Sequence, residues 1–196
     1  MTEGGLAELM KGTVEVDETY VGGKPRKGGP KGGRRVGVLK RNRPGRPNSA
    51  TDRKTPVVAL VQRDGSVKTR VVDRVTSKNL KQTIREGVHP SARIMTDQFV
   101  SYMGIGKEFE GGHHTVNHRK GEYARGDVTT NSAESFFALL KRGVYGTFHH
   151  VSRQHLHRYT DEFSFRWNHR KVTDGERLVA ALLGTWGRRL IYVAAF

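Results

Sequence analysis

Residues 13–21 read TVEVDETYV. Val14 and Val16 alternate with Glu15, Asp17 and Thr19, a period of two that places the valines on one face of an extended strand and the polar set on the other. A strand at this position fixes how the rest of the chain is read. Toward the C-terminus, PVVALVQ (residues 56–62) and SVKTRVVD (66–73) are two β-branched runs joined across Arg63, Asp64 and Gly65, and Asp-Gly is a strong hairpin signal. A short helix is predicted from Thr76 to Gly87, with a Thr or Ser cap, Leu80 and Ile84 four apart, and Gly87 at its end. Pro90 separates it from ARIMTD (92–97), a short buried strand ending on Asp97.

Beyond Asp97, a helix is expected near Phe99 to Phe109 and a strand at HHTVNH (113–118). In TTNSAESFFALLKRGVYG (129–146), Ala133, Phe136, Phe137, Leu140 and Val144 recur at helical spacing, with Asn131 and Glu134 set as a capping pair. Another helix is expected from Ser152 to about Asn168, with Leu156, Tyr159, Phe163 and Trp167 on one stripe, and the segment from Gly175 onward is apolar enough to pack as a helix. A meander followed by alternating helices and strands predicts an α/β sheet covered on both faces.

The 196 residues suffice for one compact domain, 1–196, with a core that needs no disulfide or metal staple. Residues 152–196 are expected to form its helical C-terminal part. Thirty-five basic against 19 acidic residues leave a net charge of +16, which points to a polyanionic partner. The charge is uneven. Between Gly22 and Lys54 stand twelve cations, among them Lys24, Arg26, Lys27, Lys31, Arg34 and Arg35, against the single acid Asp52. Rich in glycine and proline, this stretch is expected to be a mobile basic insert after the first strand, contacting phosphate; the competing reading is a solvated linker. The absence of cysteine excludes a disulfide framework, a Cys-containing zinc site and a cysteine nucleophile. Apolar runs such as VVALV and LVAALL fall short of the roughly 20 residues that span a bilayer, so a soluble cytoplasmic, nucleoid-associated protein is expected.

In so basic a chain, acids at element ends are informative. Asp17 lies on the first strand, Asp97 at the end of a later one and Glu134 in the first turn of a helix. If these carboxylates converge, hard divalent cations would relieve their repulsion, and two Mg²⁺ ions could then activate a water or a 3′-hydroxyl on a phosphodiester. Each has a plainer alternative: Asp17 on a solvated face beside Glu15, Asp97 as a helix cap, Glu134 as the partner of Asn131. At about 100° per residue, Glu134 lies some 110° from the centre of the apolar stripe, on its rim, and Lys141 is only about 20° from Glu134 two turns later.

Three strings carry a resemblance over nearly the whole chain: VEVDETYVGGK (14–24), MTDQFVSY (95–102) and NSAESFFALLKRGVYGTFHHVSRQHLHRYTDEFSFRWNHR (131–170). Together they resemble the DDE catalytic domain of ISXO-type insertion-sequence transposases. The resemblance implies an RNase H-like (retroviral-integrase-like) mixed sheet flanked by helices. It places the three catalytic and metal-binding acids on Asp17, Asp97 and Glu134, and the lysine that follows on Lys141. It further implies two Mg²⁺ ions, replaceable by Mn²⁺, cleavage at transposon ends and strand transfer to target DNA. Lys141, Arg142, His149 and His150 are then expected to contact DNA beside the insert, and a homo-oligomer is expected on the two ends. Full-length relatives of this type carry a zinc ribbon ahead of the first catalytic strand, whereas sixteen residues precede Asp17 here. A truncated copy, a fragment of a longer reading frame, or reliance on another polypeptide for end binding all fit that difference.

The nine histidines raise a zinc alternative, centred on His113, His114 and His118 or on His149, His150, His155 and His157. The series Tyr145, Phe148, Tyr159, Phe163, Phe165 and Trp167 could stack bases, but its helical spacing assigns most of it to the core. Two functions compete with a transposase: a non-catalytic DNA-binding remnant, and an RNase H-like nuclease acting on structured nucleic acid.

Overall fold

The computed structural model describes residues 8–22, 54–117 and 124–185. Strands β1 (Thr13–Val21), β2 (Thr55–Gln62), β3 (Val67–Val71), β4 (Arg93–Asp97) and β5 (His113–Val116) form one sheet in the order β3-β2-β1-β4-β5. β1, β2 and β3 pair antiparallel as a meander, while β4 joins β1 and β5 joins β4 in parallel. A parallel neighbour needs a crossover, and α1 (Ser77–Gly87) supplies it between β3 and β4. The β2–β3 hairpin turns where expected. Asp64 takes a φ of 59°, which Asp tolerates better than most residues, and the Gly65 amide donates to the Gln62 carbonyl at 3.0 Å.

The alternation read in β1 is the alternation observed. Val14 and Val16 face α1, whose Leu80 and Ile84 are fully buried with Val58, Leu60 and Ile94. Each such side chain contributes roughly 1.5–3 kcal/mol relative to exposure. The opposite face carries Val57, Ala59 and Val61 under α2 (Asn131–Gly143) and α3 (Leu156–Asn168), which bury Phe136, Leu140, Leu156 and Phe163. These helices approach closely at Gly143, where a Cβ would stand 1.9 Å from the Phe163 ring. The aromatic series is accordingly mostly packed: Phe136 meets Trp167 edge to face at 5.7 Å and Phe148 meets Tyr159 at 4.7 Å, whereas Tyr145 is exposed.

Several expectations need correction. The helix expected over Phe99–Phe109 is two single 3-10 turns, Val100–Tyr102 and Ile105–Glu108, because Gly104 between them has a left-handed φ of 82° that interrupts a helix. Asn131 does not cap α2; it is the helix's first residue, and the preceding Thr130 makes no side-chain capping bond. α3 begins at Leu156 rather than Ser152, after a 3-10 turn at Arg153–His155. The last helix, α4 (Asp174–Thr185), forms as expected but buries none of its residues, and Leu178, Val179, Leu182 and Leu183 stay exposed. A small hairpin of β6 (Ala124–Arg125) and β7 (Val128–Thr129) leads into α2. Residues 23–53, with Lys24, Arg26, Lys27, Lys31, Arg34 and Arg35, lie outside the described residues, as do His118 and residues 186–196.

Candidate functional site

The site begins where β1 and β4 part. Their pairing runs from Thr13 opposite Arg93 to Glu15 opposite Met95 and stops there. Two residues further on, the same register sets Asp17 beside Asp97 on one face of the sheet. β1 stays paired with β2 as far as Val21, and β4 with β5 as far as Asp97, so only the pairing between the two central strands ends short of these acids. In open sheets with parallel strands, ligands bind at the carboxyl ends of strands. Both aspartates are half-buried. The Asp17 Oδ1 accepts from the Glu18 amide at 2.8 Å, and the Asp97 Oδ1 accepts from the Phe99 amide at 3.0 Å, turning the chain out of β4. The capping alternative for Asp97 therefore holds for one backbone amide, in a turn rather than a helix.

Glu134 occupies the first turn of α2, exposed on the rim of the buried stripe as its azimuth predicts. The helix is fixed to the sheet from an unexpected quarter. Glu15, fully buried, accepts from the Ser132 amide at 2.7 Å, the Ala133 amide at 3.2 Å and the Ser132 hydroxyl at 3.2 Å. Its charge is matched by Arg63, whose Nη2 stands 3.0 Å away. Arg63 also donates to the Asp127 carbonyl at 2.8 Å and touches the Met95 sulfur at 3.2 Å, joining β1, β4 and the β6–β7 hairpin. The solvated face imagined for Glu15 does not exist.

Asp17 is the most perturbed acid of the site. Burial pushes its carboxyl up to about 7, and the negative charges of Glu18, Asp97 and Glu134 add to the rise, against the lowering effect of the Glu18 amide. Asp97 and Glu134 are thus near enough to Asp17 to act on its proton. Glu18 turns toward the α1 face, where it accepts from the Tyr102 hydroxyl at 2.5 Å; burial raises it as well, and the Asp97 charge adds to this. A hard divalent cation suits an oxygen donor set with such surplus negative charge. The donors nonetheless form an open arrangement: among the described residues no three His, Cys, Asp or Glu side chains are grouped as a ready-made metal cage.

Lys141 and Arg142, two turns beyond Glu134, are exposed. α2 then runs into a π-helical turn, Val144–Phe148, after which His149 takes a φ of 58° and, with His150, faces solvent. His113 is bonded to the Thr96 hydroxyl at 2.8 Å and His114 to the Gly111 carbonyl at 3.2 Å. No histidine group able to hold zinc occurs among the described residues.

The sequence reading passed over Glu15, Glu18, Arg63 and Tyr102. Glu15 carried one signal, an acid amid β-branched residues in a strand that must be buried on both faces. Glu18 and Tyr102 lie inside two of the matched strings, beside Asp17 and five residues after Asp97.

Residues 9–168 match the ISXO2-like transposase domain. A curated relative, described as an uncharacterized protein in transposable element ISH50 of Halobacterium salinarum, is 28% identical over 167 residues, covering 80% of this chain. The chain spans 52% of that relative's length.

Proposed function

Because the chain belongs to the ISXO2-like transposase domain family, we propose that it is the DNA-cleaving and strand-transferring domain of a transposase, with Asp17, Asp97 and Glu134 as its catalytic acids. The observation that carries this reading is Asp17 just past the end of the β1–β4 pairing, its proton held by burial and by the charges of Asp97 and Glu134. The sheet order, an antiparallel meander extended by two parallel strands, is consistent with an RNase H-like fold. Two Mg²⁺ ions, or Mn²⁺ in their place, would supply activation of a water or 3′-hydroxyl and stabilisation of the leaving oxygen. The chain's own part is to hold oxygen donors on separate rigid elements and to lay the DNA backbone across them. A homo-oligomer on DNA follows from the need to hold two ends together. No helix among the described residues is long and apolar enough to cross a membrane.

The test is a nicking and strand-transfer assay on DNA with and without divalent ions. Ion-dependent cleavage supports the proposal. DNA binding without cleavage would favour the non-catalytic remnant, which the open arrangement of the carboxylates recommends as the second reading. Preference for structured RNA or DNA over duplex ends would favour a nuclease.

Two further outcomes are expected. Lys141→Ala should leave the melting temperature nearly unchanged, since the side chain is exposed, yet lower cleavage at least about tenfold, equivalent to about 1.4 kcal/mol. Full activity at saturating DNA would make it an ordinary helix cation, worth only about 0.3–1 kcal/mol near a C-terminus. Deleting residues 23–53 should flatten the dependence of log affinity on log salt, because each phosphate contact on duplex DNA contributes roughly 0.9 to that slope. An unchanged slope would return the insert to a solvated linker.

A further inference from the structure

We propose that Glu15, held by Arg63, is a positioning residue that sets where Glu134 stands relative to Asp17. The inference rests on the reading of Asp17, Asp97 and Glu134 as one site.

Three observations carry it. First, the Ser132 and Ala133 amides of α2 have no local cap: Thr130 makes no side-chain capping bond, and the Thr129 hydroxyl accepts only from the Asn131 amide, at 3.1 Å. The cap comes instead from Glu15, 117 residues earlier in the chain. A local cap stabilises a helix wherever the helix lies; a cap reaching in from β1 also fixes the helix's first turn against that strand. Second, Glu15 and Asp17 occupy the same face of β1, about 6.6 Å apart along the strand. Glu15 binds the amides of Ser132 and Ala133, and Glu134 is the next residue. One rigid strand therefore carries one catalytic acid and the clamp on the turn that bears another.

Third, stability alone does not call for this arrangement. Desolvating a carboxylate and a guanidinium together commonly costs as much as their attraction returns, so a buried pair of this kind is weak evidence of stabilisation. Glu15 is fully buried and Arg63 partly so, with 27% of its side chain exposed, and Arg63 is bound in addition to Met95 of β4 and to the hairpin carbonyl of Asp127. The pair thus ties to one point the strand of Asp17, the strand of Asp97 and the helix of Glu134. Preorganisation of this sort matters where ligands come from separate elements and form no cage by themselves.

The experiment compares Glu15→Gln with Thr76→Ala, which removes the local cap of α1, a Thr76 hydroxyl accepting from the Asn79 amide at 3.2 Å, far along the chain from the site. Mn²⁺ binding to each protein without DNA is read from the electron paramagnetic resonance signal of the free ion, well below the melting temperature, beside the Mn²⁺ concentration that half-saturates cleavage. Glu15→Gln should weaken Mn²⁺ binding about tenfold and raise the half-saturating concentration in parallel, while Thr76→Ala lowers the melting temperature and leaves both unchanged. Should Glu15→Gln fail to fold, Glu15→Asp keeps the charge opposite Arg63 and draws the oxygens back by one methylene; the same weakening is expected of it. Wild-type Mn²⁺ binding in the folded variant, or equal weakening in Thr76→Ala, overturns the positioning role alone. A wild-type protein that neither binds Mn²⁺ nor cleaves DNA overturns the site itself, and the positioning role with it.

Discussion

Asp97→Ala is expected to reduce divalent-dependent strand cleavage by at least about a thousandfold, equivalent to roughly 4 kcal/mol of transition-state stabilisation, while DNA affinity stays equal or rises. The two effects share a cause. Asp97 ends β4 and its charge acts on Asp17; in the proposed site its carboxylate would be both an oxygen donor and a negative charge facing the DNA. Removing it takes away the donor and the repulsion together. The alanine also loses the bond from the Phe99 amide, made at 3.0 Å, so a displaced 99–103 loop could mimic the loss of a donor. Asp97→Asn separates the causes, because its amide oxygen still accepts from Phe99. Cleavage lost in both variants, measured as single-turnover nicking at saturating DNA, assigns the effect to the carboxylate. Cleavage retained in Asp97→Asn would make the residue a turn former and remove it from the chemistry.

The strands and helices built on periodicity were readable because one principle governs them. In β1 the two-residue alternation sorts Val14 and Val16 from Glu15 and Asp17, and the structure keeps the two sets on opposite faces, although Glu15 is buried as fully as the valines. In α2 the stripe of Ala133, Phe136, Phe137 and Leu140 is the buried stripe, leaving Glu134 on its rim. The reading failed where a distant group overrode a local rule. Asn131 and Glu134 have the spacing of a capping pair, but the Asn131 amide donates to the Thr129 hydroxyl, the Glu134 amide to the Thr130 carbonyl, and the Ser132 and Ala133 amides between them to Glu15, and sequence spacing carries no trace of a partner 117 residues away. Between Asp97 and Phe109 the helical signal is broken by Gly104, whose left-handed backbone splits one expected helix into two short turns.

The acids show the same division. Asp97 and Glu134 were legible as carboxylates at element ends and Asp17 as one within the first strand, and the resemblance gave them a common meaning. That Asp17 stands opposite Asp97 follows from a parallel β1–β4 register, which no local pattern specifies, since parallel neighbours are brought together by a crossover. Glu18 escaped notice for a simple reason. In a strand, adjacent residues point to opposite faces, so a residue next to Asp17 reads as pointing away from its site. Its charge acts across the strand all the same on Asp17, and the Asp97 charge acts on Glu18 in turn.

The stability of the metal-free protein should therefore fall as pH rises from about 4 to about 7, and Asp17→Asn should remove much of that fall. The Asp17 carboxyl is raised by burial and by its acidic neighbours from 3.8 to about 7. Between these values the folded protein keeps a proton that the unfolded chain has released, and a native state that binds more protons loses stability with increasing pH. The contribution is fully present below pH 3.8 and lost by about pH 7. Its upper limit is about 4 kcal/mol; with solvent reaching one side of the half-buried group, about 1–2 kcal/mol is expected. In a domain of this size that corresponds to roughly 2–4 °C in melting temperature per kcal/mol. Asp17→Asn keeps the oxygen that accepts from the Glu18 amide and cannot ionise, so it should melt higher than wild type at pH 8 and nearly level with it at pH 4. Glu18, raised for the same reasons, stays in the variant and leaves a residual slope. Changes in overall charge with pH act on both proteins alike and cancel in the difference. Mn²⁺ at pH 8 should close the gap from the wild-type side, since a ligand bound only by the folded state stabilises it by mass action. Thermal melts at the two pH values, with and without the ion, check the prediction, and an Asp17→Asn protein less stable than wild type at pH 8 would show that Asp17 is held as a satisfied structural carboxylate.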